Sequence, residues 1–383
     1  MNRFDVQVLG AGIVGHSLAL ALARQGLRVA LHGAAPAAPR EADVRAYALN
    51  AASVDLLKRL KVWDALPAHA ATPVLDMQVQ GDAHAATIAF SAWQQRVSAL
   101  AWITDTAVLE RELAAAVRFA PHITSIAASP DGSAENSVDA TLVALCEGKA
   151  SASRAARGVR FERREYGHRA IAARLTADRA HQGVAWQWFR SPDVLALLPF
   201  DTPQPGRSYA LVWSLPNERA DALLALPDAD FEQALNEAIG AGAGQHHGPG
   251  RLALASPRAA WPLAQATASA WCGPGWVLLG DAAHVVHPLS GQGLNLGLAD
   301  VATLARVIES RESWRSLGDD KLLRRYARER AVPTWAMGQV TDGLMRLFSQ
   351  QAPAVRELRN RGLTLVNQLS PLKRWLTARA LDS

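Results

Sequence analysis

The feature that most constrains this 383-residue chain is Gly10-Ala11-Gly12-Ile13-Val14-Gly15, three glycines in six residues directly after the apolar run 5–9 (DVQVL). That run reads as a buried strand, residues 12–25 as an Ala/Leu-rich helix and 28–32 (RVALH) as a second strand, so the chain opens as a βαβ unit. In this setting the glycines make the turn, let the backbone approach a pyrophosphate and pack the helix on the strand. The helix N-terminus adds N–H donors and a partial positive charge. This is the context of a dinucleotide-binding fingerprint. The acid that usually contacts the adenosine ribose belongs at the end of the second strand, but the sequence there is Leu31-His32-Gly33 and no acid follows before Glu41.

Residues 6–23 contain no Asp, Glu, Lys or Arg, yet their glycines argue against a signal peptide or a membrane span. The charge-free stretches 259–280 and 282–299 are broken by Pro, Gly, Gln, Ser and Asn. No transmembrane helix is expected, and hence a cytoplasmic protein, with peripheral contact to the inner membrane left open. The two cysteines, Cys146 and Cys272, form no CxxC pair, which points to a reducing compartment and against a cysteine metal site. His246-His247 sits in an uncharged glycine-rich loop without further ligands, so no metal is expected. The net charge of +5 is spread without a Lys/Arg block, which gives no support to nucleic-acid binding.

Further along, 50–60 and 106–118 read as helices, 122–127 and 138–145 as strands, and 74–80 with 84–90 as a hairpin around Gly81-Asp82. Between about 168 and 262 the pattern turns to strand-like runs (183–189, 194–200, 207–215) with helical stretches near 217–239. The α/β character returns with a strand at 276–280 and a helix from about 292 to 310. From 319 onward the chain reads as mostly helical. One domain is therefore interrupted by another.

The second motif runs from Gly280-Asp281-Ala-Ala-His284 through His287-Pro288-Leu-Ser-Gly291-Gln292-Gly293-Leu-Asn295 to Asp300, on a strand, a turn and a helix start. An Asp at a strand end can bond a sugar-alcohol hydroxyl, and a Gly-Gln-Gly helix start can present N–H groups to a developing anion. With this motif the chain resembles the FAD-dependent aromatic hydroxylases and, within them, the ubiquinone-biosynthesis hydroxylase branch. Tyr166-Gly167-His168, Leu195-Ala-Leu-Leu-Pro199, Tyr326-Ala-Arg328-Glu-Arg330 and Thr341-Asp342-Gly-Leu-Met-Arg346-Leu-Phe348 carry the resemblance across most of the sequence. The middle motif departs: Cys146-Glu147-Gly148-Lys149-Ala150-Ser151 stands where the family has Ala-Asp-Gly-Ala-Asn-Ser, while Ser151 and Arg154 match.

The resemblance implies an α/β fold of p-hydroxybenzoate-hydroxylase type: a Rossmann-like FAD-binding domain (1–73, 95–167 and 268–318), an interleaved sheet-rich substrate domain (74–94 and 168–267) and a C-terminal helical region (319–383). It implies FAD bound by Gly10, Gly12, Gly15, Arg45, Asp281, Pro288, Gly291, Gln292, Gly293 and Asn295. Asp281 would sit on the ribitol chain, Pro288 beside the isoalloxazine ring, and the N–H groups around Gly291 to Gly293 at its anionic edge. His287 and Pro288 are the expected catalytic residues, with a structural role for the turn histidines as the alternative. The implied reaction is hydroxylation of a phenol, polyprenylated if family-like, through a C4a-hydroperoxyflavin, with O2 as co-substrate and NAD(P)H as reductant docking transiently. Trp186, Trp188, Leu195, Leu197 and Trp213 are the expected lining of the ring and tail site.

Two rivals stand beside this reading. One is another FAD oxidoreductase on the same fold. The other is a non-catalytic or weakly flavin-binding subunit of a quinone-biosynthesis assembly, motivated by Gly33 and Glu147. After Pro371, Leu372, Trp375, Leu376 and Ala380 share one helical face in a basic tail, fit for an anionic membrane surface or for docking on the protein itself or another subunit.

Overall fold

The computed structural model describes residues 4–33, 43–81, 87–127, 138–240, 248–286 and 292–349. Within them the strands form three sheets. The first has six strands in the spatial order Cys272–Gly273, Trp276–Leu278, Ala140–Leu145, Phe4–Leu9, Val29–His32, Ile123–Ile126. All its ladders are parallel except the short pair at the edge, Cys272–Gly273 with Trp276–Leu278. Phe4–Leu9 lies at the centre, with Val6 between Val29 and Leu142, and Val6 and Val8 are fully buried. A central parallel strand is covered on both faces, which is why this run is almost continuously apolar. Its one amide, Gln7, donates to the buried His32 ring at 3.1 Å.

Helix Ile13–Ala23 is buried all round except at Val14 and has no Asp, Glu, Lys or Arg; its one ionisable side chain, His16, bonds the Gly12 carbonyl. A helix that is apolar on every side must be enclosed, and helices Thr106–Arg118 and Gln292–Glu309 pack against it. Close approach to the second of these requires Gly297, where a Cβ would lie 2.8 Å from the Val14 side chain.

The second sheet takes nine strands, with Phe161–Ala177 as its 17-residue spine. The predicted hairpin is present as Asp76–Gln80 against Thr87–Ser91, and the predicted runs appear as Val184–Arg190, Asp193–Phe200 and Ser208–Pro216. The spine runs across the boundary placed at 167/168. Its register against Ala259–Ala268 shifts between Glu165 and Arg169, with Gly167 at φ +67°. Tyr166-Gly167-His168 is thus a bulge, the usual device for re-aiming a strand without ending it. The helical stretch 217–239 is two helices, Asn217–Ala225 and Asp228–Ile239, separated at Pro227, which has no N–H to continue the first.

The sequence reading named no strand at Ala46–Leu49 or Ala101–Asp105. Ala101–Asp105 is the middle strand of a small third sheet, paired antiparallel with Ala46–Leu49 on one side and Ala71–Val74 on the other. The C-terminal helix runs Asp320–Ser349. The amphipathic face at 372–380, His246-His247 and the turn 128–137 lie outside the described residues. No described helix is long and apolar enough to cross a membrane.

Candidate active site

The cleft is built where the first strand ends. Gly10 adopts φ +107°, and a Cβ there would lie 2.4 Å from the Cys146 carbonyl oxygen. At Gly15 a Cβ would meet the Gly10 carbonyl at 1.8 Å. These two glycines are demanded by close packing. Gly12 differs: a Cβ on it would meet nothing within 4 Å, and it caps helix Ile13–Ala23 in extended conformation without a side-chain bond to the helix. The first N–H groups of that helix therefore have no capping side chain, and the space beside them is open.

A second glycine-led helix start faces the same cleft. Gly293, in the first turn of Gln292–Glu309, also has nothing within 4 Å of an added Cβ. Gly10, Gly12, Gly293, Arg45, Glu147 and Asp281 are among the residues lining the cleft, whose volume is about 460 Å³. Asp281, on the turn Gly280–Ala282, is exposed to it. Although its surface is open to the cleft, the protein packed around the turn displaces most of the surrounding water, which pushes its carboxyl above the usual range against the pull of His284, Lys149 and Arg45.

Arg45 is held by its own neighbour. Its Nε donates to both oxygens of Asp43, at 2.9 and 3.0 Å, and its Nη2 to Oδ2 at 2.6 Å. Burial pushes the Asp43 carboxyl up, but hydrogen bonds from Arg45 outweigh it and hold the group below the usual range. The Arg45 carbonyl accepts from Thr106 Oγ1 at 3.0 Å and from Arg174 Nη2 at 2.8 Å. Arg174 belongs to the spine of the large sheet, is stacked over Phe200 and lies 3.5 Å from Asp105. It ties the large sheet to the strand that carries Tyr47 into the cleft.

Behind the Asp281 turn lies a fully buried network. The Asp300 carboxylate accepts from Gly280 N at 2.9 Å, His284 Nε2 at 2.7 Å and Arg330 Nε at 2.7 Å. Arg330 also donates to the Leu296 carbonyl at 3.2 Å. Burial disfavours the ionised Asp300, but His284 and Arg330 overcome it and hold the carboxyl below its usual range. His284 stacks on Trp271 with ring centroids 5.0 Å apart.

Of the residues expected at the cofactor, Gly10, Gly12, Arg45, Asp281 and Gly293 line the cleft, and Gly15 supports it from behind. Asn295 does something else. Its Oδ1 accepts from Asn50 N at 3.1 Å and Ser53 Oγ at 2.8 Å, and its Nδ2 donates to the Ala48 carbonyl at 2.8 Å. It is a staple between helix Gln292–Glu309 and the strand-to-helix junction at Asn50. Asn295→Leu is expected to lose about 2–3 kcal/mol of stability, because buried donors and an acceptor are left unpaired; a urea midpoint unchanged from the parent would contradict this. Gln292 enters as the first helical residue, while His287, Pro288 and Gly291 lie outside the described residues.

The departures in the middle motif have local explanations. Glu147 turns its carboxylate to the helix Ala152–Ala156, accepting from Ser151 Oγ at 2.5 Å and Ser153 Oγ at 3.1 Å. Arg154 donates to the carbonyls of Ala282 and Lys149, tying this segment to the Asp281 turn. Gly33, at φ +94°, sits 3.5 Å above the Ala11 nitrogen when given a Cβ, a backbone shape that side chains rarely adopt. The ribose corner thus presents no carboxylate from the end of this strand.

The expected substrate lining lies elsewhere. Trp188, Leu195, Leu197 and Trp213 are buried in the core between the large sheet and the helices Asn217–Ala225 and Asp228–Ile239, with Trp186 packed against it. Trp186 and Trp188 stack with centroids 5.9 Å apart. Cross-strand register puts all five on one face, since Trp186 opposes Leu197, Trp188 opposes Leu195 and Leu195 opposes Trp213. The opposite face carries Arg174 and packs Ala185, Leu198 and Phe200 against the small sheet. Strand alternation groups Trp186 with Trp188 and Leu195 with Leu197, while the register between strands puts all five together; neither says what covers them. Sequence reasoning missed Asp43, Arg174 and the Asp300–Arg330 pair as cleft supports. A charged residue inside the apolar run of the spine was the available signal for Arg174.

The residues present fit FAD: the helix start at Gly12, which has no capping side chain, the first turn of a second helix at Gly293 and an open carboxylate converge on one cleft. Comparison with known proteins agrees. Residues 3–341 match the family described as FAD binding domain. The ubiquinone hydroxylase UbiL of Rhodospirillum rubrum is 31% identical over 99% of this chain and 90% of its own. The 3-demethoxyubiquinol 3-hydroxylase of Escherichia coli is 30% identical over 98% of both. Among solved structures, p-nitrophenol 4-monooxygenase PnpA from Pseudomonas putida superposes with a TM-score of 0.75 at 18% identity, over 100% of this chain and 99% of that one.

Proposed function

The chain belongs to the FAD binding domain family, in the ubiquinone-biosynthesis branch of the FAD-dependent aromatic hydroxylases, and on that premise we propose that it hydroxylates a polyprenylated phenol at the expense of NAD(P)H and O2. The overall change is ArH + O2 + NAD(P)H + H⁺ giving ArOH + H2O + NAD(P)⁺. When held in this cleft, FAD would supply the hydride-accepting and oxygen-transferring chemistry that no side chain of the protein provides.

The protein's part is binding, orientation and charge placement. The helix starts at Gly12 and Gly293 place N–H groups and partial positive charge at anionic parts of the cofactor. Asp281 bonds the ribitol chain. The Asp43 clamp fixes the guanidinium of Arg45, which lines the cleft. On the sequence motif, Pro288 is assigned to the isoalloxazine ring and His287 to proton relay. The aromatic ring is assigned to the sheet face that carries Arg174, where the small side chains of Ala170, Ala172, Ala196 and Val212 share one side by register. The division into a discontinuous FAD-binding part and an interleaved substrate part, with the boundaries given above, belongs to the same reading. So does a cytoplasmic protein in peripheral contact with the inner membrane or with a quinone-biosynthesis complex.

The observation that carries the proposal is the convergence of Gly12, Gly293 and Asp281 on one cleft. The dialysed protein is expected to take up FAD to one equivalent, read from its near-ultraviolet and blue absorption bands, and to consume oxygen with NAD(P)H when a prenylated phenol is added. Asp281→Ala should weaken FAD about 10- to 100-fold, the worth of a charge-assisted hydrogen bond. No flavin with or without added FAD would sink the proposal and favour a non-catalytic subunit. Turnover without oxygen uptake would favour a flavin dehydrogenase.

A further inference from the structure

Back to back with the flavin cleft lies a second cavity of about 380 Å³, and the two share Val285 and Val286 as lining. It sits between the strand Ala259–Ala268 and the C-terminal helix Asp320–Ser349. Its wall is made by Trp271, Val285, Val286, Val332 and Trp335, with Thr334 among the few polar residues. No Asp, Glu, Lys or Arg lines it. A volume at the lower end of small-molecule sites, mostly apolar walls and a few polar groups are the makings of a ligand pocket.

The independent sign of a ligand is Thr334. Its residue is 5% exposed, and its hydroxyl has no hydrogen-bond partner although it is buried. Helical threonines ordinarily return this bond to the backbone one turn earlier, and buried polar groups are nearly always paired. An orphaned hydroxyl beside a cavity is therefore a donor and acceptor awaiting a polar atom. At the rim, Val332 and Trp335 are 68% and 67% exposed, an apolar exit on the helix surface.

We propose that this cavity is a second ligand site, distinct from the catalytic cleft, for a neutral aromatic ring that bears one hydrogen-bonding oxygen and an apolar chain. The oxygen pairs with the Thr334 hydroxyl, the ring lies among Val285, Val286 and Trp271, and the chain leaves between Val332 and Trp335. The one ionisable lining side chain, His284, has its Nε2 bonded to Asp300, so no free cation is offered to carboxylates or phosphates, whose burial without a partner is costly. The class matches the substrate or product of the reaction proposed above, and for that choice of ligand the inference rests on that reading.

The probe is 4-heptylphenol, titrated by calorimetry into the flavin-free full-length protein, so that binding is read apart from cofactor and turnover. Saturable binding is expected. Thr334→Val, which keeps the shape and removes the hydroxyl, should weaken it about three- to tenfold, the worth of one hydrogen bond. The same substitution should leave heptylbenzene, which has no oxygen, unaffected. Trp335→Ala, at an exposed position, should weaken 4-heptylphenol but not 4-methylphenol, whose short substituent does not reach the rim. Absence of 4-heptylphenol binding, or binding untouched by both substitutions, would overturn the inference. Binding with the expected pattern in a protein that never takes up FAD would instead overturn the proposed function and leave this site standing.

Discussion

Asp300→Ala is expected to cost about 3–5 kcal/mol of folding stability, the penalty for removing one partner of a buried ion pair. Three donors converge on this carboxylate, from Gly280, His284 and Arg330, and none of them has water to fall back on, since Asp300 is 0% exposed. Loss of the Gly280 bond also frees the turn that places Asp281, so FAD affinity should fall together with the urea midpoint. Asp300→Asn keeps an acceptor for Gly280 and should lose less. The pH dependence has a definite sign. A carboxyl held below its usual range contributes stability that is complete above the ordinary value of about 3.9 and is lost as acid carries the solution through the lowered folded value. The contribution of the Asp300 carboxylate should therefore be intact at neutral pH and be lost only in strong acid. A urea midpoint at neutral pH that Asp300→Ala left unchanged would show that Asp300 is not the buried acceptor assigned here.

Gly12→Val is expected to separate folding from cofactor binding. The open space around its Cβ and its extended backbone accommodate a side chain, and no capping bond is lost, so the thermal midpoint without FAD should stay near that of the parent. The new methyl groups fill the approach to the helix start, and FAD affinity should fall by about 100-fold or more, equivalent to roughly 3 kcal/mol. Gly15→Ala is the contrasting case. Its Cβ would stand 1.8 Å from the Gly10 carbonyl, so it should damage the fold and the cleft together. Equilibrium dialysis with FAD beside thermal melts of the flavin-free proteins distinguishes the two. A Gly12→Val protein that retains one equivalent of FAD would refute the placement of the pyrophosphate at this helix start.

Much of the site was legible because its requirements are local. Gly10, Gly12 and Gly15 announce themselves by spacing between a strand and a helix, and the turn at Asp281 by its position after an apolar run. Asn295 and Glu147 were misleading for the same reason: both stand in motifs aligned with the cofactor, yet their side chains are used up by neighbours. Ser53, Asn50 and Ala48 claim Asn295 from 242–247 residues away. Ser151 and Ser153 claim Glu147 close by, a bond any carboxylate near a helix start can make.

From residues alone follow the βαβ opening, the hairpin read at 74–80 with 84–90, the placing of Trp186 and Trp188 on one side of a strand, and the nucleotide-binding character of the first strand-to-helix turn. Each depends on interactions within a few positions or on the period of two along a strand. Only the tertiary structure decided which side of the large sheet meets the nucleotide-binding part. Both faces are apolar enough to be buried, and two helices cover the tryptophan face while the alanine face with Arg174 packs on the small sheet. The periodicity separates the two faces equally well in either arrangement, so the choice between them rests with long-range packing.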